Sequence, residues 1–154
     1  YRNDSALLRL SLDAGAAGQW SAIVERGEGR RETDVQSQLF GPGRFATTYA
    51  LFGDDTYERT RASLGAEWDD VGALGPVRLL AWRQESATDQ LSEQFRLPDR
   101  ATPFQSLRTR RFLFEQDSTG LELNGQWRGE FLGAEHWQVF GVDFARHEYR
   151  GFRD

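Results

Sequence analysis

His136 and His147 are the only two imidazoles in the chain, and cysteine is absent. Metal and nucleophilic chemistry therefore have few residues to draw on. His147 stands two residues before Tyr149 in "RHEYR", and His and Tyr are both ligands that can hold haem iron. Neither histidine has the spacing of a zinc site. "TRR", residues 109–111, sets Arg110 beside Arg111, and guanidinium forks bind the carboxylates of ligands or the phosphates of lipopolysaccharide. Asp54-Asp55 and Asp69-Asp70 are acidic pairs that turn chemistry explains without a metal. No Ser/His/Asp order with a nucleophile elbow occurs, and no spacing sets two carboxylates across a cleft. "GEG" and "GPG" lack the lysine and following helix of a phosphate loop. The chemistry on offer is recognition rather than catalysis: not an enzyme, no cofactor motif, and Arg110, Arg111, His147 and Tyr149 as candidate ligand contacts.

The elements that must position these residues read as strands. Six stretches alternate apolar and polar residues with a period of two, near 6–13, 19–26, 56–68, 77–85, 108–127 and 136–146. The fourth has two competing phases, Leu79 with Ala81 against Leu80 with Trp82. Short Gly-rich connections, "AGAAG" (14–18), "DDVGALGP" (69–76) and "RGEFLGAE" (128–135), alternate with long polar ones at about 27–55 and 86–107. No stretch carries a convincing 3.6-residue period. The expected fold is all-β, with antiparallel up-and-down strands joined as hairpins.

Composition narrows the class. The 154 residues suit one domain, and the 38% hydrophobic content is low for a globular core. Mean hydropathy is −0.66, and no apolar run approaches the roughly 18–20 residues of a membrane helix. A barrel strand needs only every second residue apolar, so low hydropathy leaves a membrane barrel open. The net charge is −5, every one of the 19 basic residues is arginine, and no basic surface argues for nucleic acid. The chain has no methionine and opens without a leader pattern, so it is expected to be an internal piece of a longer protein.

The central question is which of the two unlike faces meets water. In "STGLELNGQW", residues 118–127, Leu121, Leu123 and Trp127 alternate with Glu122, Asn124 and Gln126. A soluble sheet would bury the leucines, whereas an outer-membrane barrel would turn them to lipid and the polar set to its lumen. The alternation of short and long connections favours the barrel, because every second connection of an up-and-down barrel lies on one rim. Trp20, Trp68, Trp127 and Trp137 all fall beside short connections, where indoles anchor at a membrane–water interface. Tyr57, Phe112, Phe114, Tyr149 and Phe152 are placed for a second girdle at the other rim. On this reading Leu8, Leu10, Leu12, Ala62, Leu64, Leu121, Leu123, Phe140, Val142 and Phe144 face lipid. Arg9, Asp13, Glu25, Arg61, Glu67, Glu122, Asn124, Gln126 and Asp143 face the lumen, with Gly120 and Gly141 beside them.

"FEQDSTGLELNGQW" (114–127), "FGVDFAR" (140–146) and "RASLGAEWDD" (61–70) resemble barrel strands of TonB-dependent outer-membrane receptors, most of all the haem/haemoglobin receptor branch. The resemblance covers most of residues 5–154. It implies a Gram-negative outer-membrane location and a barrel of about 22 strands with an N-terminal plug. Residues 1–154 would be a partial barrel domain of about six strands, without the plug. The implied partners are outer-membrane lipid, the plug of the same protein, the inner-membrane TonB complex acting through that plug, and an iron-bearing small ligand or haem protein. A soluble β-sandwich or barrel that binds a ligand or carbohydrate is the main alternative, and a porin-like channel is a third.

Overall fold

A computed structural model describes residues 1–72 and 74–154. Six strands, β1 (Arg2–Asp13), β2 (Gln19–Asp34), β3 (Thr48–Trp68), β4 (Leu74–Arg96), β5 (Ser106–Phe131) and β6 (Ala134–Arg153), follow one another with three single-turn 3₁₀ segments between them. They form one sheet in the order β1-β2-β3-β4-β5-β6, every pair antiparallel. The chain is therefore all-β, an up-and-down meander. Among the described residues no helix is long and apolar enough to cross a membrane, which does not bear on crossing by strands.

The strands run well beyond the alternating stretches. β3, β4 and β5 have 21, 23 and 26 residues, against a usual strand of roughly five or six. The long polar stretches at 27–55 and 86–107 are thus largely paired backbone, and the actual connections are residues 35–47 and 97–105. Polar residues on both faces gave these segments loop composition, while their backbone groups are satisfied by the ladder. The short connections are residues 14–18 and the two-residue turn Leu132-Gly133, while the connection at 69–76 contains Ala73, which lies outside the described residues. Leu132 and Gly133 both have positive φ, 54° and 75°, as a two-residue hairpin turn needs for its twist to match the strands.

Register fixes which residues share a face, since directly paired residues point the same way. Two complete rows across all six strands are apolar: Leu12, Trp20, Ala66, Leu79, Leu123, Val142, and Leu10, Ala22, Leu64, Ala81, Leu121, Phe144. This resolves the phase of β4, with Leu79 and Ala81 on the apolar face and Leu80 and Trp82 on the other. Leu8, Val24 and Ala62 extend the patch on one side, and Trp68, Val77 and Phe140 on the other.

Among the described residues nothing covers this face. Leu12 is 64% exposed, Leu64 52% and Phe144 66%, and Ala66 is the single buried apolar side chain among the described residues. The described residues form no second layer against the sheet, and hence no core of the usual kind. Its edges are also bare, since every residue of β1 and β6 is exposed and each of these strands pairs on one side only.

The apolar patch crosses the ladder obliquely. Its edge nearer the short connections passes from Leu12 on β1 through Trp68 on β3 to Trp127 on β5. That is four residues along the chain in four strand spacings, or about 14 Å against about 19 Å, a slope of roughly 35°. The opposite edge drifts the same way, from Ala6 through Ala62 to Leu121, with Arg83 and Arg146 bordering it.

Candidate functional site

The face opposite the apolar patch is built from the register rows that alternate with the apolar ones. Near the short connections it carries Asp13, Gln19, Glu67, Arg78, Asn124, then Ser11, Ser21, Leu80, Glu122, Asp143. Arg9, Glu25 and Arg61 follow on the same face, and Arg59 pairs with Glu25. The nine residues expected to be polar-facing thus all share it.

Further along, this wet face changes character. Trp82, His147, Tyr149 and Phe114 lie ring beside ring, with centroid separations of 6.4, 6.3 and 5.9 Å, and His147, Tyr149 and Phe114 are stacked to within 30°. Arg61 lies over the Trp82 ring at 5.7 Å. The indole owes its position to Gly120, its direct partner on β5, where any Cβ would collide with it. Tyr57 lies over its own partner Gly29 in the same way, and its hydroxyl donates to Asn3 at 2.7 Å. His147 is held by Ser118, whose Oγ is 2.8 Å from Nδ1 and also accepts from Gln116 at 2.9 Å. Ser118 is buried, so this imidazole has a fixed base although it is itself exposed.

These placements correct the expected second girdle. Tyr57, Phe112, Phe114 and Tyr149 sit on the wet face, and of that set only Phe152 shares the apolar side. Trp137 also departs from expectation. It pairs with Arg128, which lies 5.2 Å over its ring, whereas Trp127 pairs with Gln138 on the opposite face. Trp20, Trp68 and Trp127 remain together on the apolar side. The first two form an edge-to-face pair at 5.9 Å, and both indole N–H groups donate to the Ala17 carbonyl at 3.1 Å. This geometry points both polar tips at the short connection and leaves the ring bodies on the apolar face.

The four candidate contacts do not form one site. His147 and Tyr149 stand together, but Arg110 lies six residues along β5 from the partner of Tyr149, about 20 Å away. Arg111 points to the other face, where it forms a bidentate pair with Asp89, its closest contact 2.5 Å. That hydrogen bond holds the Asp89 carboxyl below the usual carboxylate range and raises Arg111. Arg30 does the same to Asp54 on that face.

Arg110 instead has cations for neighbours. Arg108, then Arg44 and Arg153, press on it and lower its affinity for its own proton, with a contribution from desolvation. Sequence reading missed Arg108, which strand alternation alone sets on the face of Arg110, and also Arg44 and Arg153, which only the 3₁₀ turn at Gly43–Phe45 and the β5–β6 register bring near it. Among the described residues, no three His, Cys, Asp or Glu groups gather to hold a metal ion. No protein-family model matches the chain, and no curated protein matches it either.

Proposed function

We propose that the chain is part of the barrel wall of a TonB-dependent outer-membrane receptor that takes up an iron-bearing ligand such as haem or a siderophore. The observation that carries this reading is the oblique, uncovered apolar band. Strands of a membrane barrel tilt by about 35–45° from its axis, so a band level with the bilayer must cross the ladder at that angle. The roughly 35° slope fits this geometry. A soluble sheet has no reason to slant its apolar patch, nor to leave it bare, since contiguous exposed apolar surface of this kind marks a covered interface. The two unpaired edges fit a wall that continues into further strands, because open edges do not persist in lipid.

On this reading the wet face lines the lumen against the plug, and the plug passes energy from the inner-membrane TonB complex. The strands extend beyond the band at the end of the long connections, and Arg83 and Arg146 mark where headgroups begin. The stacked His147 and Tyr149 supply nitrogen and oxygen donors on a flat aromatic surface, which suits a planar iron-bearing ligand. Because Ser118 Oγ engages Nδ1, Nε2 is the His147 nitrogen left for a ligand.

Single-tryptophan variants reconstituted with bromine-labelled lipids test the reading. Emission from Trp20, Trp68 and Trp127 should be quenched most by labels near the headgroups, and emission from Trp82 and Trp137 much less. A monodisperse, folded monomer in detergent-free buffer would overturn it.

A further inference from the structure

We infer that Arg44, Arg108, Arg110 and Arg153 form a binding site on the wet face for a small polyanion, one bearing at least two phosphate or carboxylate groups. Arg111 and Arg110 point to opposite faces of β5. On the Arg111 side the arginines at this end of the sheet have acids, Arg111 with Asp89 and Arg30 with Asp54. On the Arg110 side, none of the four guanidiniums forms an ion pair with a carboxylate among the described residues. Four like charges held together without a counter-charge raise the energy of the folded chain. An anion removes that cost on binding.

The cluster is also positioned for recognition. Arg108 and Arg110 are two apart on β5 and share a face, so their forks stand side by side. The Arg153 guanidinium lies 5.2 Å over the Phe112 ring, and that of Arg44 lies 4.8 Å over Phe45. Stacking uses the flat face of a guanidinium and leaves its in-plane N–H donors free for oxygen acceptors. The turn carrying Arg44 is tied down by Gln94, which is buried and donates to the Arg44 carbonyl at 3.2 Å and to Thr48 Oγ1 at 2.6 Å. The strand ladder and this clasp therefore hold the cluster from two sides. Two or more anionic groups are needed to neutralise four forks, and a single phosphate would leave half the repulsion in place.

Titration calorimetry on the purified protein in detergent micelles tests the site, with inorganic pyrophosphate and citrate as separate probes. Either probe should bind in low salt, weaken steeply as salt rises, and bind at least tenfold more weakly to R110Q and to the R108Q/R153Q double variant. The tighter probe identifies phosphate or carboxylate as the preferred group. R9Q, which removes an arginine of the same face far from the cluster, should change affinity less than twofold. Absence of binding by both probes, or equal losses in R9Q and R110Q, would overturn the inference. Wild-type thermal stability should rise with the probe, and R110Q should be no less stable than wild type without it. A destabilised R110Q would assign the cluster a structural role and likewise overturn the proposal. The titration reads the wet face alone, so it succeeds or fails independently of what covers the apolar side.

Discussion

Ser63 and Leu64 are chain neighbours on β3, yet they point to opposite and unlike faces of the sheet. Leu64 sits in an unbroken apolar row of six residues, and Ser63 lies in the opposite row between Ile23 and Trp82. Inside the band the apolar face is uniform in chemistry, its side-chain hydrogen bonds coming from the Trp20 and Trp68 indoles, while its paired arginines and acids lie beyond the band. The wet face is a patchwork of acids, rings and arginines along its whole length. A face that only has to match an environment needs hydrophobicity. A face that has to recognise something needs placed groups.

A charge placed at each of these two positions should separate the faces most. Leu64→Arg, in lipid, should destabilise by about 2–4 kcal/mol, and Ser63→Arg by less than about 0.5 kcal/mol. Denaturant titration after reconstitution measures both, and equal costs would mean that the faces do not differ in solvent. Next come two glycines that lie beneath rings on opposite faces: Gly120 under Trp82 on the wet side and Gly125 under Phe140 on the apolar side. Gly120→Ala should expel the indole and cost about 1–3 kcal/mol through overpacking. Gly125→Ala should cost less in bilayers, because a displaced phenyl ring still lies in an apolar medium. Trp82 emission and unfolding midpoints separate the two.

A smaller effect is expected at Leu132, which holds φ at +54° with its side chain 90% exposed. Leu132→Asn should stabilise the β5–β6 hairpin by about 1 kcal/mol, since the left-handed region costs a bulky L-residue about that much. The smallest effect is the response to acid. Asp54 and Asp89 are held low by hydrogen bonds from Arg30 and Arg111, and Asp99 by the Thr102 and Ala101 backbone N–H groups with help from Arg96. Their stabilisation is complete above the ordinary carboxylate value of about 3.9 and is lost as pH falls through their lower folded values. Hydrogen exchange should therefore show the ends of β3, β4 and β5 beyond the band loosening in acid before the apolar rows do.

The all-β meander was legible from the two-residue period, and so were the faces of the ten apolar and nine polar residues, because one environment imposes one alternation. Strand length was not legible. Residues 27–34 and 86–96 are polar on both sides, so their pairing leaves no trace in hydropathy. The aromatics could have been placed by counting. Phe112 and Phe114 are even-numbered on β5, out of step with Leu121 and Leu123, and Trp137 is out of step with Phe140 on β6. Position near a rim says nothing of face, whereas parity does. The arginine cluster was only partly visible. "TRR" marks Arg110 but also Arg111, and no local pattern links either to Arg44 or Arg153.

The paired indoles at the first short connection carry one more consequence. Trp20 and Trp68 come from strands 48 residues apart in sequence and meet at 5.9 Å with their planes 81° apart, pinned to a single carbonyl. Two chromophores so close and so fixed couple their ultraviolet transitions. The corner where β1, β2 and β3 meet thus has an optical signature of its own in circular dichroism, one that a Trp20→Phe exchange would erase and that would report when this corner assembles.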